Sequence, residues 1–575
     1  MKRRLPAMLL LFAVRSMSAA PPGDPAAARV DEYLSRIEGY GFSGVIVLGR
    51  GEKVLLEKGY GLANREEKIP FGPETVVNTG SITKQFTGAA ILKLEMQGKL
   101  RTSDVISRFF PEAPADKSAI TVHHLLTHTA GLRHDYGPSD DEKVSREEIV
   151  SRILTEPLAS KPGAVHSYSN AGYSLLAAIV EKLTGGSYEA YLARNLFAPA
   201  GMTKTGYVLP AWPPKSLAVG YRDGERWGTI PGRQFGPEGP YWNLRGNGGL
   251  QTTVGDMWRW HRALLGTDVL SAAAKEKLFH PWVREEGGRS SYGYGWSIAK
   301  TPRGTTVVMH NGGNGIYAAD CRRYLDEGLF WFVASNGSAA PAIPVSDRIA
   351  GLVFGREVPL PPQTVAPDPA AISARAGTYE LTGGGTVTVA VDAGRLALSS
   401  TDSAALSLLL GGGAIDPQRA AGLRARSVEL ATASSKGNVE PVWKAFGGSR
   451  GPGEGMPIEA VRAREAEFWN GFRERNGELR GVQALAVFPF REEIVGVLLR
   501  LEGAQGTSYV QYGWEDGGLA GIRPLAELPA VRFVAVKGGG FARFDFRSGQ
   551  TSALRFEGDT LVLPLEGREL RATRK

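Results

Sequence analysis

Across the first 355 residues, strand-like runs stand at both ends and helix-like runs fill the middle. Residues 44–48 and 54–60 are rich in β-branched and aromatic side chains, with Arg50-Gly51-Glu52 between them as a turn. Strand character returns at residues 292–299, 305–309, 316–324 and 329–334, with Pro302-Arg303-Gly304 and Asp326-Glu327-Gly328 as hairpin turns. Between these ends, helical patterns cover residues 81–96, 171–183, 188–197 and 256–264. Two more helices fit residues 26–37, with Val30, Tyr33, Leu34 and Ile37 on one face, and residues 346–353. The arrangement predicts an α+β fold: one antiparallel sheet assembled from both ends of the segment, flanked by helices and joined to a helical lobe.

A second folding unit is expected beyond it, because a chain of 575 residues exceeds one domain of roughly 150 residues. Pro359, Pro361, Pro362, Pro367 and Pro369 mark residues 357–372 as an extended, semi-rigid linker. Residues 373–575 read as a β-rich, barrel-like region, with strands near 377–381, 386–391, 395–399, 484–489, 494–501, 508–512, 531–536, 541–546 and 560–564. Residues 459–473 form the one good helix candidate there, and residues 401–529 fit an insertion or a third unit. No fixed-period repeat is visible. Cys321 stands alone, which excludes an intramolecular disulfide. It reads as a small buried apolar residue.

Residues 1–20 read as an export signal. Lys2, Arg3 and Arg4 precede an apolar run, and Ser18, Ala19 and Ala20 offer a small-residue cleavage site. The run is too short to span a bilayer, which takes about 20 residues. A secreted or periplasmic protein without an integral membrane segment is therefore expected, with residues 21–356 as the first folded domain. Half of the net charge of +8 lies on Lys2, Arg3, Arg4 and Arg15, so the remaining chain is only weakly basic. Without a basic run carrying interleaved aromatics, nucleic acid is not an expected partner.

Three short motifs suggest chemistry. Ser81-Ile82-Thr83-Lys84 puts an amine one helical turn from a hydroxyl, on the same face. A serine hydroxyl becomes a useful nucleophile only when a neighbour removes its proton, and a buried amine can do so. Tyr168-Ser169-Asn170 supplies a phenol that can shuttle a proton and an amide that can tie lysine to substrate. Either Lys84 or Tyr168 can serve as the base. His310-Asn311-Gly312-Gly313 ends a strand, where glycines let substrate approach the backbone. There the N–H of Gly313 could pair with that of Ser81 to hold an oxyanion, with Gly312 lining the same edge. His310 could meet a substrate carboxylate or assist proton transfer. Taken singly, each motif has an ordinary reading as a surface pair, a loop before a helix, or a turn with a solvent-facing histidine.

Two further patterns are set aside. Gly447-Gly448-Ser449-Arg450-Gly451 matches a nucleophile elbow but lacks a preceding strand and a directly following helix. His124 and His128 have the spacing of a metalloprotease pair, but Leu125 stands where that motif needs glutamate. No metal and no organic cofactor are expected.

Taken together, the motifs resemble the serine β-lactamase and penicillin-binding-protein family, which includes esterases and D-amino-acid peptidases. Two more stretches support the resemblance: Thr121 to Leu132, of the "LLTHTSGL" type, and Gly246-Asn247-Gly248-Gly249-Leu250 followed by Thr252-Thr253 and Asp256-Met257. The resemblance covers about residues 30–355. It implies a two-lobed transpeptidase fold with the site in the cleft, and acyl transfer from a small-molecule or peptide substrate through a covalent ester on Ser81. It further implies that Lys84 and Tyr168 share the proton work, with Asn170 orienting the lysine. The third triplet is His-Asn-Gly rather than Lys-Thr-Gly. Histidine is mostly neutral at pH 7, so an esterase or D-amino-acid peptidase is expected ahead of a β-lactamase. The competing reading is a non-hydrolysing sensor that binds cell-wall fragments on the same fold. The sequence carries no oligomeric signature.

Overall fold

The computed structural model describes residues 24–575 except 135, 137–138, 223, 286, 339–341, 383, 412–414, 448–457, 492–493, 516–517 and 566–567. The export-signal reading of residues 1–20 and most of the elbow-like motif at 447–451 lie outside the described residues.

The first unit opens with α1 (Pro25–Glu38), started by Asp24, whose carboxylate accepts from the N–H groups of Ala26 and Ala27. Then come β1 (Gly44–Arg50), β2 (Lys53–Tyr60), α2 (Thr83–Met96), α3 (Val122–Leu126), α4 (Asn170–Thr184) and α5 (Val254–Leu265). The return strands are β3 (Val283–Arg284), β4 (Ser291–Tyr292), β5 (Ser297–Lys300), β6 (Thr306–Gly313), β7 (Ala318–Tyr324) and β8 (Leu329–Ser335), closed by α6 (Ala342–Val353). They form one eight-stranded sheet in the order β3-β4-β5-β6-β7-β8-β1-β2. β1 inserts beside β8 with Val45 opposite Ala334 and Val47 opposite Phe332. The two ends of the segment thus pair with each other inside the sheet, one strand in from its β2 edge.

Strand alternation explains the layering. Val45 and Val47 face one core with α2, α4 and α5, whereas Ile46 and Leu48 face a second core with α1 and α6. A run apolar at every position can bury both faces in this way. Two boundaries differ from the sequence reading. Residues 292–299 are broken into β4 and β5 by a turn in which Gly293 N donates to Trp296 O. The strand expected to stop at 309 continues to Gly313, because Asn311, Gly312 and Gly313 pair with Asp320, Ala319 and Ala318 of β7.

The C-terminal region forms a closed eight-stranded barrel. Its strands are β9 (Gly377–Leu381), β10 (Thr386–Asp392), β11 (Arg395–Ser399) and, after a long excursion, five more. The excursion builds α7 (Ser403–Leu409), α8 (Pro417–Ser435), α9 (Glu440–Ala445), α10 (Ile458–Asn476) and a four-stranded sheet of β12 (Leu479–Arg491), β13 (Ile494–Gly503), β14 (Thr507–Glu515) and β15 (Gly518–Leu525). The chain then re-enters the barrel as β16 (Val531–Ala535), which pairs directly with β11, and continues through β17 (Phe541–Phe544), β18 (Thr551–Glu557), β19 (Thr560–Leu565) and β20 (Arg568–Arg574). Four helices stand where the sequence reading saw one. α8 was obscured by its alanine- and serine-rich stretch, whose buried Ser427 and Ser434 accept from Trp514 Nε1 and Trp469 Nε1.

The barrel docks against the α1/α6 layer, on the face of the sheet away from α2. Phe544 packs its ring 5.8 Å from that of Tyr40, and Ala542 and Phe546 join the same core. Arg348 of α6 donates to the carbonyls of Phe546 and Arg547. The proline-rich segment is tied from both sides, through Tyr40 Oη to Pro362 O and through a bridge between Thr364 and Val536. Phe544→Ala should therefore cost about 3 kcal/mol and lower the melting temperature of the first unit as well as the barrel. Calorimetry in which only the barrel melts earlier would contradict this coupling.

Candidate active site

The site begins with a turn clamped before α2. Asn78 Oδ1 accepts from Gly80 N at 2.8 Å, and Thr79 N and Oγ1 both donate to Leu250 O at 2.9 Å. Thr83 Oγ1 donates to Gly80 O at 2.8 Å and accepts from Leu250 N at 3.2 Å. The Gly246–Leu250 stretch, in the sequence only a family-like string, is therefore the other half of the clamp. A 3-10 turn, Gly80–Ile82, leads into α2 and leaves Ser81 half-buried and Lys84 fully buried.

Lys84 Nζ lies 3.3 Å from Ser81 Oγ, 2.7 Å from Asn170 Oδ1 and 2.8 Å from Asn247 O. It also sits 4.7 Å from the ring centroid of Tyr168 and 5.6 Å from that of Tyr173. Two of its contacts are to fixed acceptors, an amide oxygen and a carbonyl, which take two N–H bonds. The third position of the nitrogen is directed at the Ser81 hydroxyl. It can carry a lone pair that receives the hydroxyl proton or an N–H that returns it.

The Tyr168-Ser169-Asn170 loop is held by the residues that follow α3. His128 O accepts from Ser167 N, Thr129 O from Gly163 N and Gly131 O from Ala159 N. His128 has φ 59°, a conformation few side-chain-bearing residues adopt, and its Nδ1 accepts from Ser169 N at 3.0 Å. Its ring lies 4.3 Å from that of Tyr168. Burial and the nearby Lys84 push its pKa well down, so it is a neutral ring. His124 closes a capping box with Thr121. These contacts account for the histidine pair through packing and capping.

β6 completes the site from the opposite wall. Two glycines allow it to approach the nucleophile turn. A Cβ on Gly312 would fall 2.1 Å from Thr79 O and 2.6 Å from Ser81 N, and one on Gly80 (φ +52°) would fall 2.4 Å from Gly313 N. The backbone at Ser81 N and at Gly313 N is therefore brought to one junction. His310 is not solvent-facing. Its Nδ1 donates to Asn311 O at 2.6 Å, and its Nε2 accepts from Tyr292 Oη at 2.9 Å. Burial, with Lys84 adding to it, lowers its pKa to about 4. Both nitrogens are engaged within the protein, and Asn311 is the exposed residue of the triplet.

The sequence reading brought Ser81, Lys84, Tyr168, Asn170, His310, Gly312 and Gly313 forward, and the structure brings them near one another around the start of α2. It missed Asn247, whose contribution is a main-chain carbonyl that no side-chain pattern reveals. It also missed Tyr292, which holds His310, and His134, which lies in an irregular loop. Cys321 is fully buried on β7, and burial pushes its thiol pKa far up, as expected of a packing residue.

A family model described as beta-lactamase matches residues 28–356. The chain belongs to the beta-lactamase family. Within this family it is similar to penicillin-binding protein 4* of Bacillus subtilis (strain 168), 30% identical over 313 residues, which cover 52% of this chain and 69% of that protein. It is also similar to protein flp of Staphylococcus aureus (strain NCTC 8325 / PS 47), 33% identical over 194 residues, covering 32% of this chain and 38% of that one. The octameric penicillin-binding protein homologue from Pyrococcus abyssi shares the fold over 95% of this chain and 99% of its own, with a TM-score of 0.53 and 19% identity. EstCE1, described as a hydrolase with promiscuous acyltransferase activity, shares it over 57% of this chain and 99% of its own, with a TM-score of 0.51 and 20% identity. No helix among the described residues is long and apolar enough to cross a membrane.

Two outcomes follow from this geometry. Gly312→Ala should slow phosphonate labelling of the protein at least about a hundredfold by forcing β6 off the nucleophile turn; a wild-type rate would contradict the close approach. His310 should also link stability to pH. Its folded pKa is about 4, against about 6.5 for an unfolded histidine. Between these values the unfolded chain binds the proton and the folded chain does not. Stability should therefore be full above about pH 6.5 and fall by up to roughly 3 kcal/mol as the pH drops to 4. Denaturation at pH 7 and 4.5 should show a shallower dependence in His310→Gln; an unchanged slope would contradict the assignment.

Proposed function

We propose that this chain is an exported serine hydrolase that acts through an acyl-enzyme on ester or amide substrates, with esters and D-amino-acid amides or peptides preferred over β-lactams. The observation that carries the reading is the position of Lys84 Nζ, 3.3 Å from Ser81 Oγ and fixed by two further acceptors. In this mechanism Ser81 Oγ attacks the substrate carbonyl carbon while its proton passes to the Lys84–Tyr168 pair. The N–H groups of Ser81 and Gly313 hold the oxyanion. The tetrahedral centre collapses, the leaving group takes the proton from the same pair, and the acyl group stays on Oγ. Water, giving a proton to that pair, then attacks the ester carbonyl; the C–Oγ bond breaks, Ser81 Oγ takes the proton back, and the acid leaves. Residues 21–356 carry this chemistry. The region 373–575 serves as a structural appendage, in keeping with its contacts to the far side of the sheet.

Substrate preference follows from the third triplet. A β-lactam presents a carboxylate that a fixed positive charge would hold. His310 is buried, neutral and engaged through both nitrogens, so it offers no such charge. Without a fixed charge there, the glycine-lined edge of β6 suits uncharged ester and amide groups.

Ser81→Ala should abolish labelling by a fluorescent phosphonate, and persistent labelling would refute the nucleophile. A panel of short-chain nitrophenyl esters, D-alanyl peptides and nitrocefin should show turnover of the first two classes. Rapid nitrocefin turnover would reverse that order of preference, and a stable adduct with no turnover would favour a sensor.

A further inference from the structure

We infer that His134 is a positioning residue that holds the side-chain amide of Asn170 in the one orientation that presents Oδ1 to Lys84. The inference rests on the reading of Ser81 and Lys84 as the acylating pair.

Three contacts bind His134 to the Tyr168-Ser169-Asn170 loop. Its carbonyl accepts from Asn170 N at 2.8 Å and Ala171 N at 3.3 Å, capping the first turn of α4. Its ring stacks on Tyr168, with centroids 5.6 Å apart and planes 28° from parallel. Its two ring nitrogens bracket the loop: Nδ1 lies 3.0 Å from Tyr168 O and Nε2 lies 3.2 Å from Asn170 Nδ2.

The chemistry of these partners fixes the tautomer. A main-chain carbonyl only accepts, so Nδ1 carries the proton. Nε2 of the neutral ring is then an acceptor, and it takes an N–H from Asn170 Nδ2. The two ends of an asparagine amide have nearly the same shape, so packing alone would not choose between them. The acceptor at His134 Nε2 chooses. It draws Nδ2 to itself and turns Oδ1 toward Lys84 at 2.7 Å.

The choice matters because of what the lysine must do. Lys84 Nζ donates to Oδ1 of Asn170 and to the carbonyl of Asn247 while lying 3.3 Å from Ser81 Oγ. With the amide reversed, Nδ2–H would meet Nζ instead. It would either compete for the amine lone pair or face an ammonium donor with another donor. Either outcome weakens the proton path to Ser81. His134 thus acts through Asn170 and needs no contact with substrate. Any substituted side chain retains the main-chain cap, so side-chain variants isolate the ring nitrogens.

The test is the rate of Ser81 phosphonylation by a fluorescent fluorophosphonate, resolved into the maximal rate constant and the half-saturating concentration. His134→Phe keeps the stack and removes both nitrogens; His134→Lys puts a fixed donor against Asn170. Both should lower the maximal rate about ten- to a hundredfold while leaving the half-saturating concentration within about threefold of wild type. His134→Gln, which can supply an acceptor to Asn170 and a donor to Tyr168, should stay within about threefold of wild type in both. A wild-type maximal rate in the Phe or Lys variant overturns the inference, as does a Gln variant as slow as Phe. Labelling of the wild type that survives Ser81→Ala would instead overturn the serine reading itself, before His134 is in question.

Discussion

The site depends on how one buried amine distributes its hydrogen bonds. Lys84 Nζ meets two acceptors that belong to distant parts of the chain, Asn170 Oδ1 and Asn247 O, and a third partner, the Ser81 hydroxyl proposed as the nucleophile. Burying an amine is costly unless its hydrogen bonds are satisfied. Satisfying them here brings α2, the start of α4 and the Gly246–Leu250 segment to a common point. The interactions that make Lys84 tolerable in the core are the same ones that aim it at Ser81.

The surrounding architecture serves that convergence. The nucleophile turn is pinned through Thr79 and Thr83 to Leu250, and the tyrosine loop is pinned through His128 to the segment after α3. β6 closes the wall because Gly312 and Gly80 leave no side chain between the strand and the turn. The barrel makes its contacts with the α1/α6 layer away from this wall. It seals the opposite face of the sheet, where Tyr40 and Phe544 meet, and its excursion between β11 and β16 packs its own helices and sheet.

Much of this was legible in the sequence. The short continuous apolar runs around Val45 and Trp331 and the longer helical stretch after Ser81 stand out in the sequence, so the sheet with its flanking helices could be read directly. Ser81, Lys84, Tyr168 and Asn170 were legible because their residue types imply chemistry at fixed spacing. What escaped has physical causes. Asn247 contributes a carbonyl, which every residue has. His134 sits in an irregular loop, and its partners are fixed only by tertiary contact. The partners of the His310 ring escaped because they are set in space: Asn311 O and Tyr292 Oη engage its two nitrogens, on a strand that continues through the pairing of Gly312 and Gly313 with β7. α8 lacked a clear apolar stripe because small and polar residues fill its buried face.

The central claim is that Lys84 makes the Ser81 hydroxyl the reactive group of the protein. The most direct measurement is to mix the protein with a nitrophenyl ester, quench in acid within the first turnover, and map the acyl group by peptide mass spectrometry. The account predicts that the acyl group is found on the peptide carrying Ser81, and that Lys84→Met, with its fold intact, leaves that peptide unmodified on the same timescale. An acyl group on another residue, or equal acylation of Ser81 in the Lys84→Met protein, would contradict it.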